Sequence, residues 1–242
     1  MGELRSINTA AGTNRVTAAA VPAASRDFSA QIAPGERPVL RNTYRLLAMT
    51  LGFSALVAGV SAALGAPAPG ILLTLAGYFG LLFLTSRLQN SGWGLVSVFA
   101  LTGFMGYTLG PILSAYLSLP NGATLVTTAM AATAAVFVGL SQYVRSGRAP
   151  NIRSYGTFLF VGVLTAFVLG LAAIFFQLTA LSLAVSGLFV LLMSGLIVYQ
   201  TQAIIDGGES NYIMATVTLF VAIYNLFLSL LQLFGFFGAD DA

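Results

Sequence analysis

The sequence predicts an all-α integral membrane protein, a bundle of seven transmembrane helices, and three observations carry that prediction. Of 242 residues, 57% are hydrophobic and 7% charged, with a mean hydropathy of +0.90. A soluble domain carries roughly 25% charged residues, so this chain has too little charge to coat a soluble globule. From Leu46 onward seven apolar stretches follow one another, each near the ~20 residues that cross a hydrocarbon core. Finally, the ten basic residues, all arginine, fall on one side of a seven-span path. Such runs are too long and too continuously apolar for tilted barrel strands, so lipid admits them only as helices.

Residues 1–38 come first and differ from the rest. They are rich in Ala, Thr, Ser, Asn and Pro and show no apolar run or clear period, which reads as a disordered tail. No h-region follows the early charges, so the expectation is an uncleaved anchor and not a signal peptide. Residues 39–242 form the membrane domain, with helices expected at about 46–66, 70–86, 93–117, 123–144, 155–177, 180–205 and 212–237. The breaks carry turn chemistry: Ala66-Pro67-Ala68-Pro69-Gly70, Gln89-Asn90-Ser91-Gly92, Pro120-Asn121-Gly122, Ser146 to Asn151, and Asp206 to Asn211. Gln177-Leu178-Thr179 is weakly punctuated, so the fifth and sixth spans should meet in a very tight turn. Ser210 or Asn211 should cap the seventh.

Orientation follows from the arginines. Six precede the first span, Arg87 ends the second, and Arg145, Arg148 and Arg153 lie between the fourth and fifth. Excess basic charge marks the cytoplasm, which puts the amino terminus inside and the carboxyl terminus outside. Tyr44, Trp93, Tyr143, Tyr155 and Tyr212 fall at the same boundary, as interfacial aromatics do. The pI near 9.4 thus reflects topology and the anionic lipid bilayer, and no nucleic-acid partner is needed.

The residue inventory narrows the chemistry. There is no His, Cys or Lys. That removes His- or Cys-ligated zinc, His-ligated haem, thiol catalysis, disulfides and Schiff bases, retinal included. No cofactor or metal is expected. The seven acids are Glu3, Asp27, Glu36, Asp206, Glu209, Asp240 and Asp241, none inside a span. Proton relays and ion-coupled carriers usually place a carboxylate at membrane depth. Intramembrane proteolysis lacks its paired aspartates, and no His can activate a serine, so no enzyme is expected.

Polar residues enter the bilayer late. Gln200 lies about 8 Å inside the cytoplasmic end of the sixth span, and Asn225 about 20 Å along the seventh, near mid-membrane. Together with Tyr199 they form a candidate polar cluster with two readings: amides that glue helices together, or a polar path or gate. Asp206 and Glu209 suggest a cytoplasmic latch onto Arg87 or Arg148. Gly106 and Gly110 form a small-xxx-small pair for close packing, and Pro111 should kink or break the third span.

The stretches Val198-Tyr199-Gln200-Thr201-Gln202-Ala203-Ile204-Ile205, Gly207-Gly208-Glu209-Ser210-Asn211-Tyr212-Ile213-Met214-Ala215-Thr216 and Leu219 to Leu231 resemble the signature of the Bax-inhibitor family. Val39 to Tyr44, Pro69-Gly70, Leu84-Thr85 and Gly103 to Leu113 are similar to its bacterial YccA-like branch. The resemblance spans residues 39–237. It implies a seven-helix bundle whose last helix is largely enclosed by the other six. It also implies an inner-membrane partner and substrate of the AAA protease FtsH with HflK/HflC, restraining that protease and engaged by it through the cytoplasmic tail. Other members pair two aspartates in the last two helices, tied to a pH-sensitive calcium leak. Gln200 and Ala222 stand at the matching positions and cannot titrate. A weak calcium or proton leak is therefore the alternative expectation, without the pH-sensing pair. Arg87 matches the family arginine at the end of the second helix, with Asp206 or Glu209 as its substitute partner.

Overall fold

Apolar runs in lipid close their backbone hydrogen bonds internally, and seven α-helices do so here. The computed structural model describes residues 36–238. The helices are α1 (Glu36–Ala63), α2 (Ile71–Leu88), α3 (Trp93–Leu117), α4 (Gly122–Arg145), α5 (Gly156–Phe175), α6 (Thr179–Ile205) and α7 (Tyr212–Phe237), with a 3-10 turn at Arg153–Tyr155 before α5. All seven are long and apolar enough to cross a membrane. The disordered tail expected over residues 1–38 lies, up to residue 35, outside the described residues.

Helix α1 starts ten residues before the first apolar run, inside the stretch read as tail. The reason is that hydropathy sees only the lipid-buried part of a helix. In the first turns Arg41 and Arg45 are exposed while Thr43, Leu46 and Leu47 are buried, a spacing that points one face inward. Pro38 sits in the first turn, where a missing N–H costs nothing. Helices α5 and α6 meet across three residues, with Gln177 left-handed at φ 53°. For α7 the cap is Asn211, whose side-chain oxygen accepts from the amides of Ile213 (2.9 Å) and Met214 (3.2 Å).

Helix α7 is the most enclosed and α2 the least. The enclosure is shared unequally: α7 packs chiefly against α1, α3, α4 and α6. Helix α2 leans on α3 and α5 on α6, and these outer two meet where the rings of Phe79 and Phe167 stand 5.8 Å apart. The main core gathers Leu46, Leu101, Met193, Ile197, Phe220 and Leu226.

Lipid tails are as apolar as these side chains, so close packing and interhelical hydrogen bonds hold the bundle. The α1–α3 seam is the most extensive pairing. Gly106 and Gly110 lie in it: a Cβ on Gly106 would strike the carbonyl of Ser54, and one on Gly110 the side chain of Ser61. Pro111 does not break α3, which runs through it to Leu117. Proline removes the donor owed to the carbonyl of Tyr107, and the Ser61 hydroxyl donates to that oxygen instead, at 3.0 Å. Elsewhere Tyr224 donates to the Met105 carbonyl (3.2 Å), and Thr216 to that of Thr43 (3.3 Å). Gln232 joins α7 to Ser182 and Ser186 of α6.

Candidate functional site

The arginine-bearing end is built from loops that grip one another. Asn211, besides capping α7, donates to Asn90 (2.9 Å) and to the Gln89 carbonyl (3.2 Å), tying the α6–α7 loop to the α2–α3 loop. Its own amide donates to Glu209 at 2.8 Å. Gln202 clasps the α4–α5 loop at two points: it accepts from the Ile152 amide (3.1 Å) and donates to the Pro150 carbonyl (2.7 Å). Arg145, at the end of α4, stacks its guanidinium 4.5 Å from the Tyr44 ring of α1. These contacts bring the ends of α1, α2, α4 and α6 and their arginines to one side. At the opposite end, Tyr107 donates to the Pro67 carbonyl and Asn121 to that of Gly238.

The latch is different from the one the sequence suggested. Asp206 pairs with Arg153 at 3.7 Å, not with Arg87 or Arg148. Arg153 is brought there by the Gln202 clasp, whereas Arg87 lies over its own helix neighbour Phe83, 5.1 Å from the ring centroid. Both partners of the pair are more than two-fifths exposed, so water screens it and it contributes little stability. Glu209 spends an oxygen on the Asn211 amide. Among the described residues, no carboxylate lies within a span and none joins a group that could hold a metal.

The polar cluster also needs correcting. Among the described residues, neither Gln200 nor Asn225 hydrogen-bonds another helix. The Asn225 amide donates to Val221 of its own helix at 2.8 Å, and Tyr199 packs over Gly156 at the start of α5. No hydrogen bond among the described residues joins Tyr199, Gln200 and Asn225. Ala222 is wholly buried in the main core. Within α6 and α7 themselves, the amides that bridge elements are Gln202 and Gln232. All three glutamines gave the same sequence signal, an amide in an apolar run. Which of them meets a partner depends on how α6 and α7 are rotated, and no residue type records that.

Gln200 is 5% exposed, and among the described residues its amide nitrogen has no hydrogen-bond partner. Four more enclosed polar atoms share that state: the hydroxyls of Thr43, Tyr44, Ser141 and Thr201. All five come from the arginine-bearing third of α1, α4 and α6. Unpaired buried polar groups cost roughly 1–3 kcal/mol each, so such a layer is not explained by stability. Of these five, the sequence places Gln200 in the polar cluster and Tyr44 among the interfacial aromatics; the other hydroxyls give no signal, because a lone hydroxyl in a membrane helix usually satisfies itself on its own backbone.

The chain matches the family described as Inhibitor of apoptosis-promoting Bax1 over residues 36–239. It is 57% identical over 203 residues to a protein of Pseudomonas aeruginosa, which covers 84% of this chain and 91% of that one. It is 48% identical over 202 residues, with the same coverage, to the Escherichia coli K12 protein named Modulator of FtsH protease YccA. A membrane protein of Vibrio cholerae is 39% identical over 204 residues, again 84% and 91% of the two chains. With seven apolar helices, a family match across nearly the whole bundle and relatives of this closeness, the chain belongs to the Bax-inhibitor family and stands among its bacterial YccA-like members.

Proposed function

We propose that this protein is a non-enzymatic modulator of the membrane AAA protease FtsH, resident in the bacterial inner membrane. The observation that carries the reading is the 48% identity, across nine-tenths of its length, with the relative named Modulator of FtsH protease YccA. A further Escherichia coli relative at the same identity is named Inner membrane protein YccA. In this reading the protein restrains the protease and its HflK/HflC assembly by contact within the membrane. Its tail, on the cytoplasmic side with the arginines, is the handle by which it is itself degraded. A segment outside the bundle can be engaged without first unfolding a domain. The outer helices supply the surface: Leu72 and Phe83 on α2 and Phe158 and Phe160 on α5 are exposed.

Co-purification from native membranes tests this, using the full chain and one lacking residues 1–35. Both should bring down the protease, and the shortened chain should outlive the full one in cells. Protease absent from both preparations overturns the proposal.

A second reading, a weak calcium or proton leak, draws on Gln200 and Thr201, unpaired and buried where a polar path would enter. Liposome flux that Gln200→Ala or Asn225→Ala alters supports it. Steep pH dependence of that flux would contradict the argument from absent carboxylates.

A further inference from the structure

Helices α1 and α4 meet at the arginine-bearing end, where Tyr44 and Phe137 rings stand 5.9 Å apart, and then part. Below that contact a lateral groove of about 500 Å³ opens between them, floored by α3 and α7. Its lining is almost wholly apolar. Gly52, Ala55 and Gly59 form one wall, and Ala134 and Val138 the other. A Cβ on Gly52 or Gly59 would meet nothing within 4 Å.

The two walls carry charge in register with the groove. At ~100° per residue, Arg41, Arg45, Ala48, Gly52, Ala55 and Gly59 share one face of α1. By the same spacing Arg145, Val138 and Ala134 share one face of α4. All three arginines are exposed. An apolar slot is thus continuous, on both sides, with guanidinium groups at one mouth. Along α1 the slot lies about 10 to 21 Å from Arg45, so it starts among the tails of the arginine-side leaflet and runs past the midplane, at ~15 Å in a core ~30 Å thick.

We propose that this groove is a binding site for an anionic phospholipid: an acyl chain lies between α1 and α4, and its phosphate sits among Arg41, Arg45 and Arg145. Guanidinium binds phosphate through paired N–H donors, and the Phe137 ring, in contact with Tyr44, is part of the apolar lining on which the acyl chain lies. The site is independent of any protease contact, since its recognition elements are the slot and its mouth.

The full chain, purified in mild detergent, is examined by native mass spectrometry with lipid extraction. The expected result is about one retained phospholipid per chain, enriched at least threefold in phosphatidylglycerol or cardiolipin over the source membrane. Arg45→Gln/Arg145→Gln should keep a lipid but lose that enrichment. Gly52→Leu/Gly59→Leu, which fills the slot, should lose the lipid while circular dichroism stays helical. If the leucine variant does not fold, the arginine variant alone decides. No retained lipid, a lipid of bulk composition, or enrichment unchanged by Arg45→Gln/Arg145→Gln overturns the proposal. So does a second copy or another protein's helix, cross-linked in the slot and released by the leucines.

Discussion

At Pro111 one missing N–H sets the task of a residue fifty positions earlier in the chain. The Tyr107 carbonyl is left without its intrahelical donor, and Ser61 supplies one from α1. Ser61→Ala should therefore cost about 1 kcal/mol in detergent unfolding, the usual worth of an interhelical hydrogen bond. In a Pro111→Ala background the backbone donor returns, so the same substitution should cost much less. A double-mutant cycle reads the difference directly, and equal costs in both backgrounds would show that Ser61 acts only by packing. Gln202 offers a second case. Gln202→Ala strips two partners from the α4–α5 loop at Ile152 and Pro150. Trypsin should then cut at Arg148 or Arg153 several-fold faster, with little change in cleavage at Arg87. The sequence identified polar side chains within apolar spans but not their pairings. Gln200 and Gln202 are two positions apart, yet among the described residues the Gln200 amide nitrogen has no partner while Gln202 has two.

The glycines of neighbouring helices separate two uses of a small residue that look identical in sequence. On α3, Gly106 admits the Ser54 carbonyl and Gly110 admits Ser61, so the α1–α3 seam closes only without side chains there. On α1, Gly52 and Gly59 face open space. Gly106→Ala should destabilise by ~1–3 kcal/mol, since backbone must move to fit it. Gly59→Ala should be neutral or stabilising by up to ~1 kcal/mol, because alanine is the better helix former. Thermal unfolding in one detergent compares them, and a similar loss at both positions would contradict the seam as described. Helix positions were largely legible, because apolar length and turn residues are local properties: α3 and α7 run over the residues expected. The start of α1 was not legible, since its first turns are polar and are held by the neighbours they pack against. The family signature around Gly207 to Thr216 was readable, yet the grip of Asn211 on the α2–α3 loop links positions more than 120 residues apart.

Across the whole molecule the charge distribution is one-sided. Every arginine among the described helices and loops stands at the end where Asn211, Gln202 and Arg145 lock the loops together. The other end, where Asn121 meets Gly238, has none. Moving an arginine through the hydrocarbon centre costs at least ~2.5 kcal/mol, and insertion follows the basic loops nearest the spans. The electric potential and the anionic leaflet both favour keeping that end inside. The chain should therefore insert with its amino terminus in the cytoplasm, and seven crossings should deliver the other terminus to the far side. Fused at the carboxyl terminus, alkaline phosphatase should be active and green fluorescent protein dark. Fused after Ser146, in the arginine-rich loop, the two reporters should reverse. Moving the charge tests its cause: neutralising Arg145, Arg148 and Arg153 while placing three arginines around Asn121 should send a fraction of chains in the opposite way. If the carboxyl-terminal reporters report cytoplasm in the unaltered chain, the arginines do not govern insertion, and the assignment of the tail to the protease's side falls with them.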